Sequence, residues 1–169
     1  MFSSIKPKAD LKVLFARGTD IQASGRFKST LAFNNFKKQD AKNLQEIYER
    51  VKNGSPTMND IFIKYLDEIA PNGKNPINKA QIDSYLNQFF LAERNDDYVG
   101  RTVKFFDLLR RSRFEPGKLI VVFNQFSFYL NTHILHNFAL KPFKAFDYMK
   151  SLSSAINIDQ ELLVEVMTE

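Results

Sequence analysis

The chain of 169 residues has no cysteine and no tryptophan, only two histidines, six glycines and six prolines, and its longest apolar run is Leu119–Phe123. Each shortage removes a class of protein. Without cysteine there is no disulfide, no thiolate nucleophile and no thiolate ligand for a metal, a composition that fits a reducing, cytoplasmic setting. An apolar run this short falls well below the ~20 residues that cross a bilayer. The start, Met1-Phe2-Ser3-Ser4, lacks the apolar core of a signal peptide. A cytoplasmic protein with no membrane span is therefore expected.

Catalytic patterns are equally scarce. There is no Gly-rich phosphate loop, no Ser-His-Asp order and no HExxH. His133 and His136 have a spacing that can hold a metal on one helix face, yet no carboxylate or cysteine stands beside them, so they read as structural and no metal is expected. The acid pairs Asp67-Glu68 and Asp96-Asp97 read as solvated helix ends. The chain is not expected to be an enzyme. Its net charge of +5 is scattered over Lys37-Lys38, Lys141 and Lys144, with one dense cluster at Arg110, Arg111 and Arg113. Phosphate backbones need a continuous positive surface, so no nucleic acid is expected as a partner, and a basic all-α nucleic-acid-binding protein is the competing class.

What the chain does have is seventeen phenylalanines and helical periodicity nearly throughout. Leu44, Ile47, Tyr48 and Val51 share one face of a helix over 40–52 that ends at Asn53-Gly54. Ser55-Pro56 reads as a cap with proline in the first turn, starting a helix to about Ile69 that buries Met58, Ile61, Phe62, Tyr65 and Leu66. Asn78 and Gln81 form a capping box for a helix burying Ile82, Tyr85, Leu86 and Phe89. Asn95, Asp96 and Asp97 open a helix with Tyr98, Thr102, Phe105 and Leu109 inward. It closes before Pro116, because the residue ahead of a proline is pushed out of helical geometry. From Lys118 to Phe138 the sequence is apolar on almost every side. Its Leu119–Phe123 segment has strand propensity, but the pattern continues without a turn signal and favours helix. Lys141-Pro142 starts a last helix that buries Phe143, Phe146, Met149, Leu152, Ile156, Leu163 and Val166, with a kink expected at Asn157 or Asp159. The phenylalanines read first as core filler, and second as the walls of a pocket for an elongated apolar ligand.

Tyr98, Arg101, Leu109, Pro116 and Phe123 together resemble the haem-binding core of globin-coupled sensors. That family has a tyrosine opening the helix before the haem, a basic residue three positions on, the iron-ligating histidine at the eleventh, then a proline and an aromatic-rich helix. Upstream, Arg26-Phe27, Lys37-Lys38-Gln39-Asp40 and Leu44 are similar to the family's opening segment and first helix. Two chemical positions depart: Leu109 stands where the histidine would be, and Phe62-Ile63 where a Phe-Tyr pair would supply the distal tyrosine. The chain thereby resembles the non-haem sensor globins of Bacillus-type stress and sporulation signalling.

The resemblance implies an all-α, globin-like sensor domain of about six main helices over 26–169, preceded by an N-terminal pre-helix arm over 1–25. It implies no haem, and a fatty-acid-like ligand in the vacated space, walled by Phe62, Ile63, Tyr65, Phe89, Phe105, Leu109 and Phe123, with Tyr48 or Arg113 fixing a polar head. It implies a homodimer built on the last two helices, with Val122, Phe126, Tyr129, Phe143 and Phe146 at the interface. The expected output is regulation of a signalling partner such as a histidine kinase or a stress-complex component. The alternatives are a docking or dimerisation module whose pocket is filled, and a haem sensor using another iron ligand.

Overall fold

In the computed structural model, which describes residues 12–169, every regular element is helical. The order is α1 (Lys12–Phe15), α2 (Gly25–Phe33), α3 (Lys38–Val51), α4 (Met58–Glu68), a 3₁₀ turn (Pro71–Gly73), α5 (Lys79–Leu91), α6 (Asp96–Arg111), α7 (Pro116–Asn137) and α8 (Pro142–Thr168). The all-α class agrees with the sequence, and α3 to α8 are the main helices. Of the expected arm, residues 1–11 lie outside the described residues; the remainder carries the short α1.

Local chemistry sets the helix ends. Asn78 accepts from the backbone N–H of Gln81 at 2.9 Å and Gln81 accepts from that of Asn78 at 3.0 Å, the reciprocal box that starts α5. Asn95 accepts from Tyr98 N–H at 3.0 Å, with Asp96 and Asp97 against the positive end of α6. The cap of α4 is Thr57, not Ser55. Three residues after Ser55 stands Met58, which has no acceptor, whereas three after Thr57 stands Asp60, which completes a box. The Leu119–Phe123 segment is helical inside α7. Leu119, Val122, Phe123 and Phe126 are buried at helical spacing, and covering that face outweighs local strand propensity.

α8 is the axis of the fold, packing most extensively on α7, then on α6 and α3, while α5 bridges α3, α4 and α6. It runs through Asn157 and Asp159 without a break, so the expected kink is absent. Its first turns are rotated from the expected register: Ala145 and Tyr148 face inward, and Phe143 and Phe146 face solvent. A polar seam with α3 fixes that rotation. Tyr148 donates to Glu46, Lys150 Nζ reaches Asp40 at 2.8 Å, Ser151 Oγ donates to Asp40 at 2.6 Å, and Asn43 donates to Ser151 at 2.9 Å. Apolar periodicity cannot register such a seam. Further along α8, Thr30 donates to Glu161 at 2.8 Å and Arg26 pairs with Glu165 at 2.7 Å, which dock α2.

Candidate functional site

The residues expected to wall a ligand pocket lie on α4, α5, α6 and α7, and between these helices stands a stack of rings. Phe62 meets Phe126 edge-on at 5.0 Å and Phe123 at 5.9 Å. Tyr85 lies flat on Phe105 at 4.4 Å, and Phe106 meets Phe123 edge-on at 6.0 Å. These are the offset and edge-to-face geometries that aromatic quadrupoles favour. The gap left among Phe62, Phe89, Phe123 and Phe126 is too small for a water molecule. Five of the expected pocket residues, Phe62, Phe89, Phe105, Leu109 and Phe123, are therefore buried together as core, while Ile63 and Tyr65 are half-buried at its margin. A haem does not fit these residues: Leu109 has no lone pair for iron, and the rings occupy the volume.

Behind the stack lies a polar node that periodicity did not identify. Asp159, wholly buried on α8, accepts from Tyr85 Oη and Tyr98 Oη, each at 2.6 Å. Burial raises its carboxyl above the ordinary range, against the lowering influence of the Arg94 charge and the two hydroxyl donors. Both phenols are pushed well above their usual value, chiefly by burial. Arg94, 1% exposed, stacks its guanidinium 4.2 Å from the Tyr98 ring centre. The signal was present in the sequence: Asp159 falls three after Ile156 and four before Leu163, on the buried stripe of α8.

An open crevice of about 460 Å³ remains between α5 and α6, floored by Tyr85 and Phe105 and rimmed by Ser84, Gln88, Arg101 and Lys104. The expected polar-head residues are elsewhere. Tyr48 belongs to α3 and its hydroxyl bonds Asn87 at 3.2 Å. Arg113 is the left-handed residue (φ 64°) that ends α6, exposed and away from the crevice. The basic groups on the rim are Arg101 and Lys104, one helical turn apart.

The expected interface also needs correcting. Val122 and Phe126 are 3% and 1% exposed within a single copy and belong to the core, and Tyr129 is half-buried, stacked on Phe126 at 6.3 Å. The outward row on α7 is Val121, Gln125, Phe128, Thr132 and Leu135, one helix position off, because the buried stripe points at α4 and α8. Phe143 and Phe146 do face solvent. Gln160 of α8 donates to Asn124 at 2.8 Å. That bond sets an antiparallel register in which Leu135 is level with Met149, and Phe128 with Ile156 and its neighbours.

His133 packs edge-on against Tyr129 at 4.7 Å and His136 is exposed. Among the described residues no three His, Asp or Glu side chains gather in a way that could hold a metal ion, and no helix is long and apolar enough to cross a membrane. Compared in full with protein-family models and with curated proteins, the chain matches none.

Proposed function

We propose that the chain is a non-catalytic regulatory module of the sensor-globin type, working through the outer face of α7 and α8, on which a second copy docks. One observation carries this reading. Between Lys118 and Lys141 there is no Asp, Glu, Lys or Arg, although α7 exposes Val121, Phe128 and Leu135 to solvent. A solvated helix face normally carries charge, and a charge-free apolar face with carboxamides at its edge resembles the core of an interface. Such a face can meet its own copy across a two-fold axis without setting like charges against each other. The closed interior supports a docking role over one that needs a buried ligand. The output to a histidine kinase or stress complex rests on the spacing of Tyr98, Arg101, Leu109, Pro116 and Phe123.

Sedimentation or light scattering tests the reading. The wild-type chain is expected to run as a dimer, and Phe128→Glu as a folded monomer with unchanged circular dichroism. Phe128, 72% exposed, contributes about 1–2 kcal/mol per copy on burial, so Phe128→Ala should weaken the dimer by about 2–4 kcal/mol, roughly 30- to 700-fold in Kd. A wild-type monomer at about 100 µM, well above the micromolar Kd of a modest interface, or a dimeric Phe128→Glu, sinks the proposal.

A second reading is favoured by the α5–α6 crevice. Its apolar floor and the Arg101 and Lys104 rim suit an amphipathic acid lying with its tail on Phe105, and Lys104 has no partner among the described residues. Titration with lauric acid, followed by native mass spectrometry, is expected to give a one-to-one adduct that weakens in Arg101→Ala/Lys104→Ala. Absence of any adduct removes this reading and leaves the dimer untouched.

A further inference from the structure

A second cleft, of about 460 Å³, opens on the other side of Arg94, between α3 and the turn joining α5 to α6. Its walls are Ile21 and Ala41, and its charged groups are Lys38, Lys42, Glu93 and Arg94. Lys38 and Lys42 stand one helical turn apart on the first two turns of α3, where the backbone dipole is positive. The small Ala41 between them leaves the floor accessible. Neither ammonium has a partner among the described residues.

Arg94 makes the arrangement unusual for a solvated surface. Its guanidinium is buried, and its Nη atoms donate to the carbonyls of Ala92 at 3.1 Å and Phe89 at 2.5 Å. Its Nε–H has no acceptor, and no carboxylate lies within ion-pair distance of it. Its charge acts on the buried Asp159 carboxyl, but the Nε–H is a buried donor without an acceptor, which is costly. Three cations thus line one cleft against Glu93, with Asp20 beside them on the Lys38 backbone N–H at 2.8 Å. The cleft also falls within the size range of small-molecule sites.

We propose that this cleft binds a small oxyanion, a phosphate or carboxylate carried on a body of metabolite size, held by Lys38 and Lys42 above the buried charge of Arg94 and resting on Ile21 and Ala41. The site is separate from the α7–α8 face and from the α5–α6 crevice, so it stands or falls independently of both. The two lysines supply mobile charge at the mouth, and beneath the floor Arg94 adds a fixed positive charge and one unpaired Nε–H.

The test is a titration with inorganic phosphate and, separately, citrate, followed by backbone amide shifts at ionic strength held constant with sodium chloride. Saturable shifts are expected at Lys38, Ala41, Lys42, Glu93 and Asn95. In the exposed double variant Lys38→Ala/Lys42→Ala the affinity should fall at least tenfold, and in Glu93→Gln it should rise. Saturation by only one of the two probes identifies the head group and supports the site. Shifts that do not saturate, that map elsewhere, or that persist unchanged in the double variant overturn it.

Discussion

Phe62→Ala examines the closed interior directly. Phe62 is 1% exposed and its ring lies 5.0 Å from Phe126, 5.9 Å from Phe123 and 6.1 Å from Tyr85. Removing the ring forfeits about 1.5–3 kcal/mol of transfer free energy. If the neighbours hold position, a void of roughly 100 Å³ remains, and at about 24 cal/mol per Å³ it adds about 2.4 kcal/mol. The expected loss is thus about 4–5 kcal/mol, read from urea unfolding by circular dichroism at unchanged slope. The void should then accept a guest: benzene should raise the melting temperature of the variant and leave that of the wild type unchanged. A loss below about 2 kcal/mol, the low end for truncating a packed core residue, would refute the reasoning, since a pre-existing cavity has no such penalty to add. Equal stabilisation of both proteins by benzene would refute it as well.

Three further outcomes follow from the same geometry. Leu109→His should acquire no Soret band on mixing with haem, because the rings occupy the volume the macrocycle needs; a stoichiometric band would show that the stack opens. Asp159 has its carboxyl raised by burial, so from its ordinary range up to its folded value the native chain keeps a proton that the unfolded chain has released. Its contribution therefore declines as pH rises through that window, by at most about 1.4 kcal/mol per pH unit. Urea unfolding from about pH 4 to 7 should show wild-type stability falling relative to Asp159→Asn, and a flat difference would remove the argument. Arg113→Gly should gain about 0.5–1 kcal/mol by relieving a left-handed backbone, measured as a rise in the urea midpoint; a loss would mean the side chain holds a contact that outweighs the strain.

The capping residues Asn78, Asn95 and Gln81 were legible because their signal is local: a side-chain acceptor a fixed number of residues ahead of an unpaired N–H. The inward positions of α5 and α6 were legible because one stripe is apolar and the period is unambiguous. The start of α8 was misread because Phe143 and Phe146 are as apolar as Ala145 and Tyr148, and the rotation is decided by Glu46, Asp40 and Ser151, far apart in sequence. The same ambiguity displaced the interface by one position on a helix apolar all round: Val121 and Val122 are identical side chains, and only packing decides which is core. Whether the phenylalanines line a space or fill it depends on ring positions to within an ångström, which composition does not contain. Asp159 was readable as an inward residue, but a lone acid on an apolar stripe is also what a kink looks like until Tyr85 and Tyr98 are seen to meet it.

The Asp159 node also divides the helices by the way they are fastened. Tyr85 and Tyr98 latch α5 and α6 to α8 through short hydrogen bonds that a displacement of an ångström would break. Asp40 and Glu161 do the same for α3 and α2. Among the described residues, α7 is latched to another helix by hydrogen bonds from Gln160 alone, and is otherwise held by the packing of rings and aliphatic side chains. The helix that carries the charge-free outer face is therefore the one whose placement depends most on close packing and least on hydrogen bonds. A contact made there would bear on the core through Phe123 and Phe126, the rings on the opposite face of the same helix that meet Phe62.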